Sequence, residues 1–502
     1  MGATAERTAA KREFFARDMY VVAVDGWESG DPPPDRPDQP VLAAGAARLR
    51  VWPTDPRDGR HVPPPGDAPV ICDVRGFSLA NSGNRTLRAP KRSWKVDLDV
   101  PGGDDERVAG MSCLNLKAMY NDPSQMREAI AWRLFGEAGV PSSRHTYARF
   151  AVNGRYRGLF SVVEQVDKTF LAERFGPNRH GNLYKAYCGG IGCATLQHRT
   201  GADGADDGRA YLEPGGDDPT YRLRTNKDDT AANTYDDLAT LIRSVDGVGL
   251  PGGDGRFTTD AFRDSVREVL DADAFLRWAG VNVLLGSWDN YFATPANYYL
   301  YNGGRPGAEH DFVAQPWFTF IPWDYDNCLG VDYVGTRWAY TDLLDWPGNT
   351  VEYGRRNSGG RRSRIPLVEH LLANRDFRLY YLDHLEFLLD TSFSPTAVLA
   401  RLAPGASGGL WDRVCHSAYL ESDTPHGAPF TGRQFTNDEV YRAGCDQWEL
   451  RHADAHIEGI YHYVRMRYDS ARAQLAELRR THPRGGSGAT FAAAPAPEPA
   501  RV

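Results

Sequence analysis

The sequence predicts an α+β protein whose first third is mostly strand and whose remainder is mostly helix. Three observations carry that expectation. Short alternating apolar runs recur between residues 69 and 163, a long apolar segment at 271–287 reads as a buried helix, and two apolar runs soon after it read as a β-hairpin. The 502 residues include 58 Lys+Arg against 66 Asp+Glu, a net charge of −8, and 41% are hydrophobic. That balance excludes a wholly disordered or fibrous chain. A mild acidic excess also argues against nucleic acid as the main partner, since phosphate binding needs a dominant basic surface. No apolar run is long enough for a membrane span, and the best candidate, Phe275 to Leu285, is interrupted by Arg277 and Asn282.

The elements follow in order. Residues 1–12 are expected to be flexible; the first eighteen residues are charged throughout and lack the apolar core of a signal peptide, which predicts a cytoplasmic protein. Seven cysteines are few and odd in number, which suits a reducing compartment, although Cys188 and Cys193 are spaced for a disulfide or half a metal site. Residues 29–68 are rich in Pro, Gly and Asp and read as loops around one or two strands at Leu42–Trp52. VICDVRGF, SWKVDLDV and CLNLKAMY then read as strands of an antiparallel sheet.

Asp122 as cap, Pro123 in the first turn and Gly139 as stop predict a helix over 122–139, with Met126, Ile130 and Leu134 facing the sheet. Asn153-Gly154 joins two further strands as a hairpin. Asp167–Phe175 reads as a short helix, GNLYKAY as a strand, and 186–219 as a mobile Gly- and Asp-rich surface excursion. Helical text follows at TYDDLATLIRSV, TTDAFRDSVREVL and DADAFLRWAGVNVLLGS, then the hairpin NYYLY and FTFIPWDYD. Two long helical stretches, from Ile365 to Asp390 and from Ala455 to Arg480, close the fold, and 485–502 read as a disordered tail. A β-rich part followed by an α-rich part is the layout of a bilobal enzyme with its site in the cleft.

Two constellations carry chemistry. Asp289, Asn290, Asn297, Asp324 and Asp326 lie beside buried apolar runs, where carboxylates are costly unless paired or bound to metal. One Asn and one or two Asp are the hard oxygen donors Mg²⁺ accepts when substrate phosphates fill its other positions, and a further Asp can orient or deprotonate a hydroxyl. The alternative is that each only caps a helix or turn. The second constellation is basic: Lys91, Arg92, Lys95 and Lys117, with Glu128 on the following helix. A strand lysine pinned by a helix carboxylate presents a point charge to nucleotide phosphates, whereas on a wet sheet face it is merely solvated. The usual Gly-rich phosphate loops, G-x-S-x-G and H-E-x-x-H are absent.

The segments DVRGFSLANSGNRTLRAPKRSWKVDLD, LNLKAMYNDPSQMREAIAWRLFGEAGV, the NGRYRGLFSVVEQVDK hairpin, GNLYK, SWDNYFATPANYYLY and PWDYDNCLG, in this order, resemble the spore-coat protein H (CotH) kinase family. The resemblance implies a divergent protein-kinase-like fold: an N-lobe over 13–166 and a C-lobe over 167–484, with loop insertions at about 186–219 and 302–311. It implies ATP with Mg²⁺ or Mn²⁺, and a protein Ser or Thr as phosphate acceptor. Asp289 matches the family's catalytic Asp, Asn297 and Asp324 its metal ligands, with Asp326 as a second carboxylate. Lys117 would hold the α- and β-phosphates with Glu128 as its partner, and Lys95 is its competitor. Val163-Glu164-Gln165-Val166 would be the hinge, where backbone groups of Glu164 and Val166 can meet adenine, with Tyr184 and Lys185 near it. Two alternatives stay open: transfer of another group, such as AMP or in amino-acid ligation, and a catalytically silent ATP-binding or assembly module. The chain lacks the Gly-rich loop, H-R-D and D-F-G of ordinary kinases, so phosphate binding must use other groups.

Overall fold

The computed structural model describes residues 2–27, 41–43, 47–58, 69–83, 87, 89, 91–101, 107–212, 219–305, 307, 310–333, 335–346, 365–402, 409–422, 435–444, 449–452 and 455–483. The expected tail at 485–502 and much of the loop text at 29–68 lie outside them. The fold is mixed α and β, and no helix among the described residues is long and apolar enough to cross a membrane.

Residues 2–27, expected to begin as a flexible terminus, start with helix α1 (Gly2–Ala16). Lys11 anchors it, buried and ion-paired to Glu164 at 2.7 Å, with a bond to Thr169 Oγ1 at 2.9 Å. Then come β1 (Met19–Asp25), β2 (Val41–Leu42), β3 (Arg48–Pro53), β4 (Cys72–Val74), β5 (Ser78–Ser82), β6 (Ser93–Asp97) and β7 (Cys113–Lys117). Helix α2 (Arg127–Glu137) precedes β8 (His145–Val152) and β9 (Arg155–Val163). The strands form one nine-stranded sheet in the order β2-β5-β6-β7-β9-β8-β1-β3-β4. All its pairings are antiparallel except β1 with β8. The β8–β9 turn is Asn153-Gly154, both with positive φ (49° and 72°), as the hairpin signal demanded.

Helix α2 starts five residues after its expected cap. The Asp122 carboxylate accepts from the backbone N–H groups of Ser124 (3.0 Å) and Arg127 (2.8 Å), and Gln125 sits at φ +57°, so residues 122–126 make a bonded turn ahead of the helix. Its expected inward residues, Met126, Ile130 and Leu134, are all buried, and Gly139 (φ +67°) ends it.

After α3 (Lys168–Phe175), capped by Asp167, come β10 (Asn182–Ala186), β11 (Cys188–Gly189), β12 (Gly192–Cys193) and β13 (Tyr221–Leu223). The segment expected to be a mobile excursion is fastened where it is described. A disulfide joins Cys188 to Cys193, Ala194 and Leu196 are fully buried, and Tyr291 donates to the Thr195 carbonyl at 2.9 Å. Helices α4 (Asp236–Val245), α5 (Asp260–Val269) and α6 (Ala272–Leu285) follow, then β14 (Tyr298–Asn302) and β15 (Phe318–Pro322), which complete a four-stranded sheet β13-β10-β14-β15. Buried Phe275, Trp278, Val283 and Leu285 make α6 the centre of the second core, as its apolar text predicted.

The remaining elements are β16 (Val331–Asp332), α7 (Pro366–Ala373), α8 (Arg375–Asp390), α9 (Pro395–Leu402), α10 (Leu410–Ser422), α11 (Asn437–Arg442), β17 (Glu449–His452), β18 (Ala455–Glu458) and α12 (Ile460–Thr481). The stretch from Ala455, expected to be wholly helical, begins as a strand because Ala455–Glu458 pair with β17 and β16, and Gly459 (φ −61°, ψ 139°) separates it from α12.

Candidate functional site

Strand pairing places the expected lysine. Lys95 lies opposite Asn115, and Lys117 lies opposite Ser161, so Lys95, Asn115, Lys117 and Ser161 share one face of the large sheet. Trp94, Leu114, Leu116 and Val162 point into the other face's core. From that first face Lys117 forms an ion pair with Asp324, which follows β15, and its amine stands 5.5 Å from the Trp323 ring. Glu128, on α2, approaches from behind. Its Oε2 accepts from Ser161 Oγ at 2.9 Å, while its Oε1 is buried and makes no hydrogen bond of standard geometry.

The acidic side is held by the central helix. Asn282, which interrupts the apolar text of α6, accepts from Asn290 Nδ2 at 2.9 Å and from Tyr325 OH at 3.0 Å, and donates to the Ser287 carbonyl at 3.0 Å. Trp278 Nε1 donates to Tyr325 OH at 2.7 Å. The Trp288-Asp289-Asn290 turn and the Asp324-Tyr325-Asp326 turn are therefore fixed to one post. Asp289 Oδ1 accepts from Thr294 Oγ1 at 2.8 Å and its Oδ2 from Asn327 Nδ2 at 3.1 Å. Asn297 donates to the Asp289 carbonyl at 2.9 Å, so its own Oδ1 is spared from that bond. Asn297 and Asp324 both adopt left-handed backbone (φ +53° and +65°), which Asn and Asp tolerate better than other non-glycine residues.

The charges form one coupled set. Burial alone would push the Lys117 amine down, but Asp324, Glu128 and Asp326 outweigh it and hold it above the ordinary lysine value. Burial, then the repulsion of Asp324, pushes the Asp326 carboxyl well above its usual range, with Glu128 and Asp289 adding to the effect. Glu128 is likewise raised, chiefly by burial. Asp324, Glu128 and Asp326 thus crowd the Lys117 amine, and Asp289 adds to the negative charge through Asp326. Hard oxygens on Asn297, Asp324 and Asp326 fit a divalent cation of the Mg²⁺ type, whose charge would relieve this crowding.

Other expected residues take different posts. Lys95 is neutralised by Asp97 at 2.8 Å. Lys91 is buried against Glu421 at 2.6 Å and tied to α10. The Glu164 carboxylate is enclosed by Lys11 and Arg174, both at 2.7 Å, and Arg144, and these cations hold it below the usual range against the opposing effect of burial. Its backbone N–H bonds the Arg144 carbonyl at 3.0 Å. Val166 is buried, and its carbonyl accepts from Gln165 Nε2 at 3.2 Å. Tyr184 donates to Asp237 at 2.7 Å in a buried network away from the acidic turns. Lys185 does join the site: its amine lies 5.6 Å from the Trp323 ring, 5.6 Å from Tyr299 and 5.1 Å from Tyr187.

Two residues escaped the sequence reading. Asn327 bonds Asp289, and its Oδ1 accepts from Asn121 Nδ2 at 2.7 Å; Asn121 Oδ1 in turn accepts from Tyr333 OH at 2.8 Å. Asn327 stood in the quoted PWDYDN run and Asn121 in AMYND, but nothing local in either marks a bond across more than 200 residues.

The site thus joins a strand lysine to a carboxylate-bearing turn that, like the Asp289 turn, is bonded to the central helix through Asn282. The family profile described as "CotH kinase protein" matches residues 75–403, more than half of the chain, and the chain belongs to the CotH family. Among named relatives, Inner spore coat protein H of Bacillus subtilis is 26% identical over 293 residues, which is 58% of this chain and 67% of that protein. Invasin CotH2 of Rhizopus delemar is 23% identical over 347 residues (67% of this chain, 50% of that protein), and Invasin CotH3 of the same organism 21% over 336 residues (64% and 48%). The chain spans about two thirds of the Bacillus protein and about half of each invasin.

Proposed function

We propose that this chain is an atypical protein kinase that transfers the γ-phosphate of ATP to Ser or Thr of a protein, with a divalent metal. The observation that supports it best is the buried cluster in which the Lys117 amine is coupled to Asp324, Glu128 and Asp326, with Asp289 in turn acting on Asp326. In this reading the large sheet with α2 is the smaller lobe, the α6-centred part the larger, and the site lies between them in a kinase-like arrangement.

Lys117 binds phosphate oxygens, giving up its ion pair with Asp324 as nucleotide enters. Asn297, Asp324 and Asp326 hold Mg²⁺ or Mn²⁺, which when bound neutralises charge on the phosphates. Glu128 keeps the Lys117 amine charged and in place. Asp289, oriented through Thr294 and Asn327, accepts the proton of the acceptor hydroxyl. The Trp323 ring, with Lys185 beside it, offers a flat cationic-aromatic surface suited to a purine nucleotide. Rate enhancement then comes from positioning and charge neutralisation.

Incubation with γ-labelled ATP and Mg²⁺ or Mn²⁺, followed by mass spectrometry of the chain and of generic protein acceptors, tests this. Asp289→Ala is expected to bind nucleotide without transfer, and Asp324→Ala to lose metal-dependent nucleotide binding; labelling by both at the parental rate refutes the reading. Label arriving from α- but not γ-labelled ATP indicates AMP transfer instead. The relatives' names, spore coat protein and invasin, favour a second reading, an assembly or adhesion module. Absence of any thermal stabilisation by ATP with metal supports that one.

A further inference from the structure

Away from the Lys117 site, β17 and β18 bring together side chains that no part of the proposed reaction uses. Glu449 lies directly opposite Glu458 across the hairpin, and Arg451 opposite His456, so the period of two puts Glu449, His456 and Glu458 on one face, while Ile457 is fully buried on the other. His462, four residues beyond Glu458 in the first turn of α12, completes the group. Carboxylate oxygens of Glu449 and Glu458 and a ring nitrogen of His462 all lie within 4.8 Å of one another. His456 Nε2 stands 3.1 Å from Glu449 Oε2. Facing carboxylates repel across a strand pair; the imidazoles of His462 and His456 act against that repulsion at Glu458, and a cation bound between the carboxylates would lift it further.

The platform beneath is rigid. The Glu458 N–H bonds the Gly330 carbonyl at 3.0 Å, and the Glu458 carbonyl accepts from Arg127, a fully buried guanidinium ion-paired to Asp122. A Cβ on Gly330 would lie 2.8 Å from Glu458 Cβ, so that close approach requires glycine. Ligands on a hairpin fixed in this way need little ordering when a metal binds.

We propose that Glu449, Glu458 and His462 form a binding site for a divalent cation of the zinc type, with His456 in reach as a fourth ligand. Two carboxylates and an imidazole, one carboxylate exposed and the other groups half-buried, suit zinc's mixed oxygen and nitrogen preference and four-coordinate geometry. The oxygen donors around Lys117 suit magnesium instead, so the two sites are distinguishable by the nitrogen ligand. The cation would pin β18 to β17 and to the start of α12, directly behind the Gly330–Asp332 segment that follows the acidic turn.

The test uses the full chain stripped with chelator, then given Zn²⁺ or Co²⁺. Asp324→Asn/Asp326→Asn removes the carboxylates of the other site and is expected to keep one tightly bound Zn²⁺, with imidazole scattering in its X-ray absorption spectrum and a visible Co²⁺ band. Glu449→Gln, at an exposed position, is expected to weaken Zn²⁺ at least about tenfold, and His462→Ala to abolish the band. A wild-type chain that binds no Zn²⁺ in competition with a micromolar chelator overturns the proposal. So does a bound Zn²⁺ without imidazole scattering, or an affinity unchanged in both Glu449→Gln and His462→Ala.

Discussion

Asn327 donates from Nδ2 to Asp289 Oδ2 at 3.1 Å and so fixes the rotation of the carboxylate that the proposed reaction uses as its base. The bond spans two separate turns, and its far end is held by Asn121 and Tyr333. Asn327 touches no reacting atom in this reading, so its effect is one of positioning. Asn327→Ala is expected to lower kcat for phosphate transfer about 10–100-fold while leaving KM for ATP within about twofold. A KM that rises together with an unchanged kcat would show that Asn327 serves nucleotide binding instead.

Asp326 shows the cost of the proposed metal site. Its carboxyl is buried among Asp324, Glu128 and Asp289, and the Lys117 amine acts against their repulsion. Because its folded-state pKa is raised, its ionisation opposes folding once pH exceeds the unfolded value. Asp326→Asn is therefore expected to stabilise the metal-free chain at pH 7 by about 0.5–2 kcal/mol, as sites strained for function often allow. The same variant should lose the stabilisation that Mg²⁺ or Mn²⁺ with ATP gives the parent. Urea unfolding with and without metal reads both effects, and a less stable metal-free variant contradicts the account.

The disulfide at Cys188–Cys193 closes a short loop beside β10, which carries Lys185. Chain-entropy reasoning gives such a loop about 2 kcal/mol. Cys188→Ser/Cys193→Ser is expected to lower stability by up to that amount, and dithiothreitol to shift the parent's Tm and not the variant's. Identical responses in both chains would show that the bridge does not form in solution.

The parts of the fold legible in sequence were those with local causes. The Asn153-Gly154 hairpin, the Gly139 stop, the Asp167 cap and the apolar length of α6 each act within a few residues of where they stand. The acidic residues were legible because charge beside Trp288 and Trp323 needs explaining. What escaped was set by distant partners. Strand β1 is placed by parallel pairing with β8, more than 120 residues away, and α1 by Lys11 meeting Glu164. Asn282 read only as a break in apolar text, yet it joins the two acidic turns. Glu164, read as part of a hinge that meets nucleotide through its backbone, has its side chain occupied by three cations.

Those cations give the last prediction. Glu164 is fully buried, and Lys11, Arg174 and Arg144 hold its pKa below the ordinary value. A depressed carboxyl adds stability that is fully present above the unfolded pKa, about 4.3, and is lost as pH falls through the folded value. Glu164→Gln leaves Lys11 and Arg174 without their carboxylate, and is expected to cost about 3–5 kcal/mol at pH 7. The difference from the parent should narrow as pH falls below about 4.3, where the unfolded chain's carboxyl takes up its proton, and should go on narrowing down to the lowered folded value. Because Lys11 is the buried anchor of α1, amide exchange in residues 6–16 should accelerate in the variant more than exchange in α6. A cost independent of pH would mean that shape, and not charge, holds this junction.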